Sequence, residues 1–436
     1  MDNNIKIKNF YKLYYTKSSG IVIHSKKVKN NSIFFSLKGK NYDGNKFAHD
    51  AILNGAMIAI IDNNQYFYKN KKFFLVKNSL IFLQKLALYH RLKLNNIPII
   101  AITGSNGKTT TKELVKVVLS KKYKIVHSTK NNFNNHIGIP LTILSIPNNA
   151  QISVIEIGAN HEKEIEKMCY IIHPDYGYIT NFGKAHLEGF KNIQGVIRGK
   201  LELYNFLKKN KKMVFVNGDD PIQLTNSLGI KRYIFSEKKD SDVPIKYLYN
   251  TNNLKSILLF KKTPIISALI GSYNLYNIAS ALSIGLYFKI SLKKIKQAIE
   301  EYIPNNNRSQ ILKKNNIQII ADCYNANPNS MLSSLNFFNK IKGSKIAILG
   351  DMLELGNFSK KEHENIIFFL KKSNINTIFL IGKIFFNIKK NNSNKIKKFL
   401  NLKIFIKWIK NNSIQTDYIL IKGSRKNYLE KIIHFI

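Results

Sequence analysis

Cysteine, arginine, acidic residues and long apolar runs are all scarce in this 436-residue chain. Two cysteines, Cys169 and Cys323, cannot build a disulfide framework, and neither has a metal-ligating neighbour at C-x-x-C spacing. That excludes a stapled secreted scaffold and fits a reducing cytosol. No apolar stretch is long enough to span a bilayer, and residues 1–10 alternate Lys, Asn and Ile without the apolar core of a signal peptide. A soluble, cytoplasmic protein with no stable membrane insertion is expected.

Asp and Glu number 26 against 69 Lys and Arg, a formal charge of +43. So large a positive field attracts polyanions whatever the fold. Yet only five of the basic residues are arginine (Arg91, Arg198, Arg232, Arg308, Arg425) and the other 64 are lysine, whereas sequence-reading nucleic-acid binders lean on the arginine fork. The surplus of Lys, Asn, Ile, Phe and Tyr looks like codon drift in a genome rich in A and T, and no nucleic-acid partner is expected. A hydrophobic fraction of 44% with 11% aromatics excludes a disordered basic tail. Lysine is absent from 131–162, 263–288 and 315–339, so some places did not accept the drift.

The length suggests two to four domains. In the first hundred residues, an apolar run at 32–37 is followed by a turn-rich segment (Gly39, Asn41, Asp43, Gly44). A helical pattern then runs through Phe47, Ala48, Ala51, Ile52 and Gly55, with a strand at 56–61 and a helix over 80–94 ending at Asn95-Asn96. From Pro98 the texture is α/β: a strand at 99–103, a Gly-rich turn, a helix over 109–120, and strands at 123–127, 152–157, 176–180 and 213–217. A third α/β segment begins near Arg308, with strands at 317–322, 345–349, 377–381 and 418–422; Pro304 and the run Asn305 to Asn307 mark the boundary before it. The patch Asn391 to Asn394 reads as a loop. This predicts α/β domains over 1–96, 97–304 and 305–436, the central one a parallel sheet covered by helices.

Gly104-Ser105-Asn106-Gly107-Lys108-Thr109-Thr110 sits between a strand and a helix. There, backbone N–H groups and the helix N-terminus can cradle phosphate oxygens, Lys108 would neutralise the β/γ-phosphates and the Thr109 hydroxyl would reach Mg²⁺. The loop is shorter than the usual Walker spacing, which would put its first glycine at Ile102. Such a loop fits helicases, kinases, GTPases and ligases alike. Glu156 ends a strand at the edge where parallel sheets bind ligands, as a Mg²⁺ ligand or as a helix cap. His186, in Ala185-His186-Leu187-Glu188-Gly189-Phe190, taken alone reads as a satisfied polar residue.

Five blocks together resemble the Mur ligase family of ATP-dependent amide-forming enzymes: G-S-N-G-K-T-T at 104–110, E-I-G-A-N at 156–160, A-H-L-E-G-F at 185–190, D-C-Y-N-A-N-P-N-S-M at 322–331 and L-G-D-M-L-E-L-G at 349–356. The last two, with Lys422-Gly423-Ser424-Arg425, favour the member that joins D-alanyl-D-alanine to UDP-N-acetylmuramoyl-tripeptide. The resemblance implies an N-terminal UDP-sugar domain, a central P-loop ATPase and a C-terminal Rossmann-like domain, acting as a monomer. It also implies ATP, two Mg²⁺ ions, and an acyl phosphate attacked by the incoming amine.

The residue roles are likewise implied by the resemblance. Thr109 and Glu156 hold one Mg²⁺; His186 and a carbamylated Lys200 hold the second, carbamylation turning a repelling ammonium into an anionic oxygen ligand. Without the His186 spacing, Lys200 would be one more surface lysine. Asn274, Arg308 and Asp322 match ATP-site positions, although Arg308 also reads as a linker charge. Asn325 and Asn327 lie in an active-site loop that equally reads as a cap for a helix at Ser330, while Ser424 and Arg425 lie near the incoming dipeptide. Asn135 falls in the acceptor loop, and Ser36 and Lys38 in a uridine loop with Asp43-Gly44. No role is implied for Asp351 or Glu354.

The sequence also departs from the family pattern. His24-Ser25-Lys26 stands where the family has Asp-Ser/Thr-Arg, Tyr273 stands where a His usually precedes Asn274, and Lys191-Asn192 replaces a Gly-Ser pair. None removes an expected metal ligand. Another Mur ligase, a folylpolyglutamate synthetase-like ligase and a nucleic-acid-stimulated P-loop ATPase remain the alternative readings.

Overall fold

Runs rich in β-branched residues become buried strands, and the lysine-studded segments between them become helices. The computed structural model describes residues 3–436 except Lys40, Lys69, Asn95, 249–253, Asn306 and 390–392. The expected helix end at Asn95, part of the Asn305 to Asn307 boundary run and part of the Asn391 to Asn394 loop lie outside the described residues. The chain forms two compact units, 1–101 with 125–158 and 164–176, and 102–124 with 159–163 and 177–436. The division falls inside the strand Ile99–Thr103.

The first unit holds a four-stranded parallel sheet of Ile21–Val22, Ile33–Phe35, Ile58–Ile61 and Phe73–Leu75. Phe34, Ala59 and Ile61 pack with Ala48 and Ala51 of the helix Ala48–Leu53. The helix Ser79–Lys93 is N-capped by Asn78. A helix Asn3–Lys17, not expected from the sequence, lies alongside; Phe10 packs edge-on to Phe82, and the Tyr14 hydroxyl donates to the Leu144 carbonyl at 2.6 Å. Ile7, Phe10, Tyr11 and Tyr14 do recur at helical spacing, but with Leu13 and Tyr15 off that face the stripe is blurred. The strand expected at 123–127 is Val126–Ser128, because the N–H groups of Lys121, Lys122 and Tyr123 bond back to Val118 and Leu119 and finish the preceding helix.

In the second unit, strands Met213–Asn217, Lys231–Ser236 and Val243–Leu248 pair in parallel, and Ser256–Phe260 and Thr263–Ser267 add an antiparallel meander. The helix Tyr273–Tyr287 is buried over most of its surface, Tyr276 being exposed, which accounts for part of the lysine-free stretch at 263–288: at the buried positions an ammonium would not reach water. A six-stranded sheet runs in the order Gln310–Lys314, Ile317–Asp322, Tyr418–Lys422, Lys345–Gly350, Thr377–Ile381, Ile396–Phe399 and is parallel except for its first pair. In that order Asp322 lies opposite Lys422, which lies opposite Leu349. The loops that follow, 323–327, 423–425 and 351–354, therefore leave from one carboxyl edge, where parallel sheets build sites.

Candidate active site

The helix Lys108–Leu119 begins at Gly107, whose φ of 79° is left-handed, and the loop enters through Gly104 at φ 140°. Each glycine is required twice over, by conformation and by space: a Cβ on Gly104 would lie 1.9 Å from Thr180 Oγ1, and one on Gly107 2.5 Å from Asn277 Oδ1. Ser105 Oγ donates to the Gly183 carbonyl and accepts from Gly183 N, both at 2.9 Å. The Asn106 carbonyl accepts from Thr180 Oγ1 and Asn181 Nδ2, so the loop is braced on the strand Tyr176–Ile179 and the turn after it. Lys108 Nζ bonds the carbonyls of Gly104 (2.7 Å) and Ser105 (3.3 Å). Thr109 and Thr110, partly exposed, open the helix beside it.

Asn274 is buried, donating to the Ile270 carbonyl at 2.7 Å and accepting from Asn277 Nδ2 at 2.8 Å; Asn277 Oδ1 accepts from Thr111 Oγ1 at 3.0 Å. Asn277 is a supporting residue that sequence reasoning missed, although Asn at i and i+3 on one helix was a usable signal. Tyr273, where the family has His, puts its hydroxyl 3.0 Å from Ser309 Oγ, next to Arg308.

The loop 323–327 reaches the phosphate loop: Asn327 Nδ2 donates to Asn106 Oδ1 at 2.7 Å. Asn327 also caps the helix Pro328–Lys340 in a reciprocal box with Ser330, so the capping reading holds for the side chain that touches the phosphate loop. Asn325 is exposed, and its Oδ1 accepts from Ala326 N. Asp322 lies 2.5 Å from Lys422 Nζ on the neighbouring strand and 2.9 Å from Ser334 Oγ on the helix Pro328–Lys340. Ser424, buried, accepts from Leu353 N and donates to the Ala326 carbonyl, tying two edge loops together. Arg308 and Arg425 both lie over Tyr324, their guanidinium carbons 3.5 and 5.7 Å from the ring centroid; Tyr324 carried no sequence signal of its own.

His186 Nδ1 lies 2.6 Å from Glu354 Oε2, so the carboxylate faces this ring nitrogen at hydrogen-bonding range. The imidazole holds the Glu354 carboxyl below its usual range. Lys184 on the same loop pairs with Glu362 at 2.7 Å, and its N–H donates to Asn329 Oδ1. Lys200 is only 1% exposed on the helix Ile193–Lys209; its Nζ lies 3.5 Å from the Ala159 carbonyl and 5.1 Å from the Phe190 ring centroid. A surface lysine it is not.

In the other unit, Glu156 is buried; its Oε1 accepts from Asn134 Nδ2 at 2.7 Å and its N–H donates to Thr129 Oγ1. Asn135 Oδ1 accepts from Gly138 N at the start of the helix Gly138–Leu144. Ser36 is fully buried, bonded to the Ile60 carbonyl and to Asn45, so its hydroxyl faces the core. Lys38 is half-exposed, 3.2 Å from Asp62.

A braced phosphate loop met by a loop from the carboxyl edge of a second α/β sheet defines a nucleotide-dependent ligase class rather than a lone ATPase domain. The family descriptions "Mur ligase family, catalytic domain", "Mur ligase middle domain" and "Mur ligase, glutamate ligase domain" match residues 17–103, 102–285 and 307–425. The chain is 30% identical over 428 residues to the UDP-N-acetylmuramoyl-tripeptide--D-alanyl-D-alanine ligase of Bacillus subtilis, covering 95% of this chain and 92% of that one. The crystal structure of MurF from Acinetobacter baumannii superposes with a TM-score of 0.83 at 25% identity, covering 98% of this chain and 97% of that one. MurF from Thermotoga maritima in complex with ADP gives 0.82 at 27% identity, covering 95% and 96%. This chain belongs to the Mur ligase family, and its fold is the α/β, three-domain fold of that family.

Proposed function

We propose that this chain joins D-alanyl-D-alanine to UDP-N-acetylmuramoyl-tripeptide in peptidoglycan precursor synthesis, forming ADP and phosphate from ATP. The observation that carries the reading is the 2.7 Å bond between Asn106 of the phosphate loop and Asn327 of the D-C-Y-N-A-N-P segment. It brings the ATP loop against the block that distinguishes this member of the family. The segments 1–96, 97–304 and 305–436 are the UDP-sugar, ATP and closing domains. The enzyme works as a cytoplasmic monomer without nucleic acid; among the described residues no helix is long and apolar enough to cross a membrane.

A terminal carboxylate of the peptide attacks the γ-phosphorus of ATP, and the bond to the ADP oxygen breaks. The free amine of the dipeptide then attacks the acyl carbon, loses a proton, and phosphate leaves. The first step brings two anions together, so the chain must supply positive charge. Gly104 to Thr110 cradle the phosphates, with Lys108 at the β/γ position and Arg308 approaching from its seat on Tyr324. Asn274 and Asp322 shape the nucleotide site from behind, and Arg425 takes the dipeptide carboxylate through its fork, with Asn325, Asn327 and Ser424 ordering that loop. Asn135 lines the acceptor side and the Ser36 to Lys38 segment the uridine side.

Thr109, Glu156, His186 and carbamylated Lys200 are the Mg²⁺ ligands in this reading. The donor set suits a hard cation that keeps waters and phosphate oxygens as its other ligands. Among the described residues no group of three or more His, Cys, Asp or Glu is placed to hold a metal ion by itself. Lys200 is buried, and CO₂ would add to its neutral amine. Bound Mg²⁺ would neutralise the γ-phosphate and the acceptor carboxylate together. Purified protein should release phosphate only with both UDP-muramoyl-tripeptide and D-Ala-D-Ala present; equal turnover without them, or turnover stimulated by DNA or RNA instead, overturns the reading.

A further inference from the structure

Two residues that are neither glycine nor asparagine face each other with left-handed backbones, His186 at φ 53° and Glu354 at φ 63°. Such a conformation persists in these residue types where the surroundings impose it, and it gathers at functional sites. Three bonds impose it here. The Glu354 carbonyl accepts from Glu188 N at 3.2 Å, Leu353 N donates to Ser424 Oγ at 2.9 Å, and Met352 N donates to His363 Nε2 at 2.9 Å. The chains approach closely as well, since a Cβ on Gly356 would lie 3.3 Å from Glu188 Cα. The result is a carboxylate delivered to within 2.6 Å of His186 Nδ1.

We infer that Glu354 is a positioning residue for His186, holding the imidazole proton on Nδ1 and leaving the Nε2 lone pair for a divalent cation. The inference rests on the reading of His186 as a cation ligand. A neutral imidazole offers a metal one nitrogen, chosen by what the other nitrogen bonds, and a carboxylate partner also raises the basicity of the ligating atom. His186 comes from the segment matched by the middle-domain description and Glu354 from the segment matched by the C-terminal one. The cation site thus acquires its correct tautomer only when those two segments are docked, so cation capture is coupled to assembly of the site. This gives the L-G-D-M-L-E-L-G block a role in the reaction.

The test is Mn²⁺ titrated onto the full-length protein with a fixed amount of non-hydrolysable ATP analogue, free Mn²⁺ being followed by electron spin resonance. Glu354→Gln keeps shape and loses charge, Glu354→Ala loses both, and His186→Ala removes the ligand. Mn²⁺ affinity should fall about tenfold in Glu354→Gln, further in Glu354→Ala, and no further when either is combined with His186→Ala. The half-saturating Mg²⁺ for phosphate release should rise in parallel while kcat at saturating Mg²⁺ largely returns. Wild-type Mn²⁺ affinity in both Glu354 variants overturns the inference, as does a Glu354 effect that persists undiminished on the His186→Ala background. If His186→Ala itself binds Mn²⁺ like the wild type, the ligand reading falls and the inference with it; a weakened His186→Ala beside normal Glu354 variants defeats the inference alone.

Discussion

The Arg308 guanidinium carbon sits 3.5 Å from the centroid of the Tyr324 ring. A cation over an aromatic face is held by the ring quadrupole with about 1 kcal/mol in a partly exposed setting. Tyr324 thus fixes the approach of the residue assigned to the phosphates. Tyr324→Phe should leave the KM for ATP unchanged, whereas Tyr324→Leu should raise it about fivefold, measured by steady-state phosphate release. An unchanged KM in Tyr324→Leu would detach Arg308 from its seat.

Lys200 is buried beside Phe190 and the Ala159 carbonyl. Lys200→Ala should abolish turnover, and formate or acetate should partly restore it by supplying the missing oxygen ligand. Depleting dissolved CO₂ should slow the wild type but not the rescued variant. Activity intact in Lys200→Ala, without any need for rescue, would place this lysine outside the chemistry.

His363 donates from Nδ1 to the Ser359 carbonyl and accepts at Nε2 from Met352 N, a pattern only the neutral ring satisfies. Burial pushes its pKa below the ordinary 6.5. The folded state therefore binds the proton more weakly than the unfolded chain, so the stability this group contributes is complete above 6.5 and is lost as pH falls through the lower folded value. His363→Gln keeps both bonds without titrating. Its urea midpoint, compared with the wild type between neutral and acidic pH, should fall less, and identical pH profiles would refute the assignment.

Cys323 is pushed up to about 12, first by burial and then by the Glu430 and Asp322 charges. Its thiol stays protonated at about pH 8.5, so iodoacetamide should leave it unmodified in the native protein and label it after unfolding. On the alkaline side the folded state holds this proton more tightly than the unfolded chain, so the associated stability declines as pH rises from 9.0 toward 12. Mass spectrometry of native, labelled protein decides it.

The hairpin joining Ser256–Phe260 to Thr263–Ser267 turns through Lys261 and Lys262, at φ 47° and 66°. Left-handed backbone costs a non-glycine residue about 1 kcal/mol. Lys262→Gly should therefore stabilise the protein by about that amount in urea unfolding, partly offset by glycine's freedom in the unfolded chain. Destabilisation would mean that the lysine makes contacts outweighing its strain.

The same hairpin shows why part of the fold was hidden in the sequence. A two-residue turn of this kind is normally announced by Asn-Gly or Asp-Gly, and here Lys261-Lys262 fills it, so the strands between Lys231 and Ser267 went unread. The strands Ile99–Thr103, Met213–Asn217, Thr377–Ile381 and Tyr418–Lys422 were legible to the residue, because buried parallel strands are short apolar runs bounded by turns. Among the candidate site residues, Lys108, His186 and Lys200 were visible as spacing. Glu354 and Tyr324 were not, because their meaning lies in what strand order brings beside them. Arginine retention was a weaker signal than it looked: Arg91 is bonded to Asp175 and to the Ile172 carbonyl, and Arg198 to Glu162, contacts in which the planar fork matters structurally.

Lys108 hydrogen-bonds two carbonyls of its own loop. The phosphate loop is therefore a self-competing receptor. An arriving nucleotide is measured against bonds the lysine already makes, and the affinity observed is the difference between two well-bonded arrangements.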